Sequence, residues 1–249
     1  MITQTTSAGK ASRIAKASPL VRVSAGTLLL AERQATKDLR RAVEDISKQT
    51  AGELTQHHYV RDAGILLLLM NSSKRLVASL EQAINGAKVK AREAGASRLQ
   101  AELKAAGAVE AASKVSLLTR TSSDVQATTT AEAVALAWRQ RAIYEVSQAQ
   151  RDDRSVVEAI GNVNIDNNVT RAAATESAQA YDDGHADAAD GLDLSGLVDR
   201  WEAMLDACPR CSELADSTTA VGSAFDSGEE PGWVHPRCRC FRVTTKGVV

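Results

Sequence analysis

The 249 residues are 44 % apolar but only 3 % aromatic, so the core must be packed from Ala, Leu and Val; this disfavours a β-sandwich and favours helices. The length holds one large domain or two smaller ones. The net charge of −1 divides unevenly, with +8 over residues 1–150, −7 over 151–200 and −2 over 201–249. The basic front half suits either of two uses, contact with a polyanion through counterion release or a solvated helical surface rich in Lys and Arg.

In chain order, residues 1–19 are rich in Ser, Thr and Lys and end on Pro19, which predicts a flexible basic arm. No further proline occurs until Pro209, and those 189 residues are permissive for long helices. Residues 20–160 read as a long-helix region. From Val21 the pattern Leu28, Leu29, Glu32, Ala35, Leu39, Val43, Ile46 follows spacings near one helical turn. A turn is expected at Gln49–Gly52, then a second helix through Leu54, Ile65, Leu69, Leu76, Leu80 and Ile84 to about residue 94. Gly86 and Gly95 weaken its continuity. Residues 96–118 predict an Ala-rich helix and Thr119–Thr130 a polar break. A helix follows from Ala131 to Ile160 with Val134, Trp138 and Ala142 one turn apart.

Residues 161–200 read as a polar turn, a helix from Val169 to Tyr181 and an acidic linker over 182–196. That acidic stretch lacks the ligand spacing and closing Glu of a calcium loop. No apolar h-region opens the chain, and the longest apolar run, Ile65–Met70, is far short of the ~20 residues a bilayer needs. The expectation is a soluble protein without a membrane partner, made in a cytosol where thiols stay reduced.

All four cysteines fall in the last part of the chain, in a module over residues 201–249. Cys208-Pro-Arg-Cys211 has the x2 spacing that lets two thiolates reach one ion. His235-Pro-Arg-Cys238 repeats the spacing, and Cys240 follows two residues later. A closed structural zinc site takes four such donors, and five are present, so the expected set is Cys208 and Cys211 with two of His235, Cys238 and Cys240. A disulfide pair and free thiols stay open as alternatives. A structural zinc in a small finger contributes about 10–16 kcal/mol, against roughly 3 kcal/mol for a disulfide closing such a loop. Trp201 and Trp233 bracket the cluster and are expected in its core. The predicted fold class is therefore mainly α, with long helices in the first two-thirds and a small α+β zinc-knuckle-like module at the C-terminal end.

The order Trp201, Asp206, Cys208-x2-Cys211, Leu214-Ala215-Asp216, Phe225, Pro231-Gly232 and His235-Pro-Arg-Cys238-Arg-Cys240 resembles the C-terminal signature of the phage Mu F-like minor head proteins, the head morphogenesis family. Upstream, Arg171-Ala-Ala-Ala-Thr175-Glu176 and Tyr181 resemble the Arg-Thr-Glu stretch preceding that signature, so the likeness covers roughly residues 165–242. The family has Leu-Asp-Gly where this chain has Leu214-Ala215-Asp216, a departure at that turn.

The resemblance implies a minor virion protein of a tailed-phage head, on the capsid interior. It would contact the portal protein, the major capsid protein and packaged DNA, and assist head assembly or DNA packaging and ejection. Catalysis is not expected, nor a small-molecule substrate. Before His235 the chain offers only His57, His58 and His185, without a P-loop, nucleophile elbow or dinucleotide fingerprint. The alternative reading is a nucleic-acid-binding zinc protein without sequence preference, supported by the +8 front half and by Arg210, Arg237, Arg239 and Arg242 around the cysteines.

Overall fold

The proline-free stretch does form long helices. The computed structural model describes residues 19–57, 62–115, 125–204 and 207–247. Helices α1 (Pro19–His57), α2 (Asp62–Ala105), α3 (Val109–Lys114), α4 (Val125–Arg151), α5 (Val156–Gly161) and α6 (Asp166–Ala189) come first. They are followed by β1 (Leu197–Glu202), α7 (Pro209–Leu214), β2 (Thr218–Ala220) and β3 (Phe241–Lys246). The protein is mainly α with a small α+β C-terminal module, as its composition predicts. Of the expected basic arm only Pro19 is described, and it is the first residue of α1; the rest of the arm lies outside the described residues.

The chain divides into two compact units that interleave in sequence, residues 33–87 with 122–173 and residues 1–32 with 88–121 and 174–249. The Cys/His module shares a unit with the second halves of α2 and α6.

The unit of residues 33–87 and 122–173 is helical. Its core joins Ala35, Leu39, Val43 and Ile46 of α1, Leu69, Leu76, Leu80 and Ile84 of α2, and Ala131, Val134, Trp138 and Ala142 of α4. These are the positions that the 3.6-residue spacing marks. The turn expected at Gln49–Gly52 is absent, because α1 continues to His57. Thr50 is buried there, giving its hydroxyl to the Ile46 carbonyl at 2.7 Å and meeting Ser72 Oγ at 2.8 Å, so its polar group is satisfied within the packed interface. Trp138 Nε1–H likewise donates to Ser47 Oγ at 2.9 Å. The described part of the expected polar break, Val125–Thr130, is the first turns of α4, and that helix ends at Arg151 rather than Ile160.

The other unit packs α2 from Lys88 onward, α6 from Ala174 onward and the first described residues of α1 with a three-stranded antiparallel sheet of order β2-β1-β3. In the register, Asp199 of β1 faces Thr219 of β2 on one side and Thr244 of β3 on the other. Strand alternation turns Asp199 and Trp201 to the same buried face.

Two expectations fail here for one reason. Helix α2 runs unbroken through Gly86 and Gly95, and α6 runs eight residues past Tyr181 to Ala189, into the stretch expected to be a solvated acidic linker. Gly95 and Gly184 are where α2 and α6 cross. A Cβ on Gly95 would overlap the Tyr181 carbonyl oxygen and come within 2.9 Å of His185 N, and one on Gly184 would overlap the Arg92 backbone. Asp182 of that stretch turns inward to Arg242, and Asp183 and Asp187 pair with Arg92 of α2, while Asp187, Asp190 and Asp193 stay exposed. By length and composition, residues 63–105 of α2 could also cross a membrane, a property that the core helix of a soluble protein shares.

Gly95→Ala and Gly184→Ala are therefore expected to cost roughly 2 kcal/mol or more, because backbone rather than a flexible side chain must move. Gly86→Ala, with nothing within 4 Å of its Cβ, is expected to gain about 1 kcal/mol from helix propensity. Urea unfolding followed by circular dichroism checks the opposite signs.

Candidate metal centre

The first knuckle is built by a helix start. Cys208 is the N-cap of α7, Pro209 opens the helix, and the Cys211 N–H donates to Cys208 Sγ at 3.4 Å. Proline suits the first helical position because it has no N–H to satisfy there. That one turn brings Cys208 and Cys211 to the same point.

The second knuckle is a tight turn rather than a helix. Cys238 N–H donates to the His235 carbonyl at 3.0 Å, and Arg237 adopts a left-handed φ of 68°. The turn is seated on α6, since Arg237 N–H donates to Thr175 Oγ1 at 3.0 Å and Gly232, at φ 83°, lies against the Ala178 backbone. A Cβ at Gly232 would sit 3.0 Å from Ala178 C and O, so both the close approach and the backbone angle call for glycine.

The two knuckles meet. Cys208, Cys211 and His235 form one group of donors, and Cys211, Cys238 and Cys240 form another, each with its donor atoms within 4.8 Å of one another. Cys211 belongs to both. Its Sγ is 3.4 Å from His235 Nε2 and 3.7 Å from Cys238 Sγ. A tetrahedral ion with M–S near 2.3 Å and M–N near 2.0–2.1 Å sets its donors roughly 3.5–3.8 Å apart, so these separations fit the edges of such a site. His235 has the matching tautomer, with Nδ1–H donating to the Pro236 carbonyl at 2.8 Å and the Nε2 lone pair facing Cys211. The donor set is compatible with a metal ion, and all five sequence-predicted residues gather here.

The protons of the cluster are shared. The hydrogen bond from the Cys240 thiol, with backbone N–H groups of Cys240 and Gly232, draws the Cys238 thiol down to about 5 against the effect of burial. Cys240, as donor, is pushed up, and burial together with the Cys238 charge lifts Cys211 to about 12. Cys238 is thus the ready thiolate, while Cys211 must lose its proton to ligate, so metal uptake should strengthen as pH rises.

Around the donors, Trp201, Leu214 and Phe225 close an apolar shell, with Trp201 and Phe225 edge to face at 5.2 Å between centroids. Trp233 departs from expectation. It is 43 % exposed and hydrogen-bonds to Asp183 of α6, so it is a rim residue and not core. Asp206 lies outside the described residues. Asp216, in the turn that departs from the family pattern, takes a left-handed φ of 68°, a conformation that Asp tolerates better than most residues.

Sequence reasoning did not find the residues that fix this module in its unit. Arg239 makes a forked pair with Glu32 of α1, at 2.7 and 2.6 Å, and Arg242 pairs with Asp182 of α6 at 3.0 and 2.9 Å. The signal present in the sequence was the alternation of arginines with cysteines from Arg237 to Arg242. The chain matches no family model, and neither curated proteins nor solved structures yield a match.

Proposed function

We propose that Cys208, Cys211, His235 and Cys238 hold a structural zinc ion, and that the chain is a non-catalytic minor component of a tailed-phage head. It would sit against the portal on the capsid interior and assist head assembly or DNA packaging and ejection. All-Cys/His donation favours zinc, and the burial of Cys211 and Cys238 within the apolar shell of Trp201, Leu214 and Phe225 favours a structural role. Cys240 is then the outer thiol that hydrogen-bonds to Cys238.

The observation that carries the head-protein reading is that its two separated sequence signals are one structural piece. Thr175 of the Arg-Thr-Glu stretch accepts from Arg237 of the His-Pro-Arg-Cys ending, and the adjacent Glu176 forms a buried pair with Lys88 at 3.2 Å. Residues far apart in sequence that resemble one family are thus used together to seat the second knuckle.

The nucleic-acid reading is the weaker one. Arg210 pairs with Glu229, Arg239 with Glu32 and Arg242 with Asp182, so three of the arginines that suggested it already serve acids of the same chain. Cosedimentation with portal and procapsids tests the preferred function. Recovery with both supports it, and absence from purified virions and procapsids alike sinks it. A gel shift that weakens with rising salt would favour the DNA reading.

A further inference from the structure

Away from the cysteines, the same unit buries a second polar cluster. His185 of α6, Glu102 of α2 and Asp199 of β1 are all 0 % exposed. Glu102 Oε2 receives His185 Nε2 at 2.9 Å and the backbone N–H of Thr244 in β3 at 2.9 Å, while Glu102 Oε1 takes Arg98 Nε at 2.9 Å. Thr244 donates its hydroxyl to Asp199 at 2.6 Å, which leaves Oγ1 to face His185 Nε2 at 3.4 Å. One carboxylate thus holds the free edge of β3 to a helix, with an imidazole as the third party.

The charged groups acting on His185 are Glu102 from α2, Asp182 from its own helix, Asp199 from β1 and Arg242 from β3, with Arg98 paired to Glu102 and Glu230 paired to Arg242. With the imidazole neutral, the carboxylates of this network, Glu102, Asp182, Asp199 and Glu230, outnumber its two guanidinium groups. A proton on His185 reduces that excess. His185 Nδ1 is buried and has no hydrogen-bond partner, so that proton arrives at an atom whose surroundings must adjust to take an N–H.

We propose that His185 is a proton-operated latch on strand β3, closed when the imidazole is charged and loosened when it is neutral. Burial lowers its proton affinity, but the hydrogen bond and charge of Glu102, with the charge of Asp199, outweigh it and raise the pKa above the usual 6.5. The sign follows. A folded pKa above the unfolded one gives stability that is full below about 6.5 and is lost as pH rises through the folded value. Asp182 acts in the same sense but over a lower window, between 3.8 and about 6.

The test is amide hydrogen exchange of Phe241–Lys246 in the full metal-loaded chain between pH 5.5 and 8.5, corrected for intrinsic rates, with the His185 ring nitrogens followed by NMR. Thr244 protection is expected to fall about tenfold for each unit by which the pKa is raised, with the midpoint at the His185 titration. His185→Gln should abolish the step and Glu102→Gln should move it to lower pH. Persistence of the step in His185→Gln overturns the proposal. So does a His185 that stays in one protonation state across the range, a wild-type measurement that decides the matter even where a variant does not fold.

Discussion

Cys211→Ser is expected to remove the metal altogether and to unfold residues 207–240 while the long helices remain. Cys211 is the one donor common to both groups, and it is fully buried beside Trp201, Leu214, Phe225, Cys238 and Cys240. Serine offers a poorer ligand atom and leaves a hydroxyl in an apolar shell. The segment from Val221 to Cys240 contains turns but no helix or strand, so few backbone hydrogen bonds hold it without the ion. A structural zinc supplies on the order of 10–16 kcal/mol of apparent folding free energy, which no other interaction in so small a module approaches. Cys240→Ser, by contrast, should keep one equivalent of metal and lose affinity roughly 10–100-fold, as removal of a group bonded to a ligand does. Metal analysis paired with limited proteolysis distinguishes the two. Equal metal loss in both variants would make Cys240 a ligand and displace Cys238 or His235. Full metal content in Cys211→Ser would end the single-site reading.

Much of this was legible in the sequence, because the signals are local. Leu39, Val43 and Ile46, or Val134, Trp138 and Ala142, state their helix faces by spacing alone, and the paired x2 knuckles state their chemistry by residue type. What was hidden depends on partners far away in the chain. Gln49–Gly52 looked like a turn because its polar residues have no visible use until Thr50 meets Ser72. Gly95 looked like a helix breaker because its role, admitting the Tyr181 backbone, belongs to a contact 86 residues distant. The stretch from Asp182 looked solvated because four acids in nine residues normally are, yet Asp182 and His185 are buried by Arg242 and Glu102. Charge density marks an exposed segment only when the opposite charges are also nearby in sequence, and here they come from β3 and α2. Trp233 erred in the other direction. An aromatic beside a cysteine cluster suggests core, but its N–H is used by Asp183 at the rim.

Arg242 is the residue on which those hidden partners converge, and Arg242→Met is expected to cost about 3–5 kcal/mol. Its guanidinium binds Asp182 through two nitrogens, reaches Asp199 and the Ser223 carbonyl at 3.3 Å, pairs with Glu230, and lies 5.5 Å over the Phe225 ring. Methionine preserves much of the volume but leaves two buried carboxylates, Asp182 and Asp199, without their cation. A loss of that size rivals the whole stability of an ordinary domain, about 5–15 kcal/mol. The pH dependence identifies the cause. Burial already raises Asp182 to about 6 while Arg242 holds it down, so removing the arginine should raise it further. A folded pKa above the unfolded 3.8 means that proton uptake stabilises the folded state at low pH and that this contribution is lost as pH rises. The variant should therefore stand closest to wild type near pH 5 and fall furthest behind near pH 8, as read from urea midpoints. Adding Asp182→Asn should recover part of the loss at pH 8 and little at pH 5, because the amide mimics the protonated acid. A deficit under about 1 kcal/mol at every pH would mean that solvent reaches these carboxylates, and that α6, β1 and β3 are held together by packing rather than by charge.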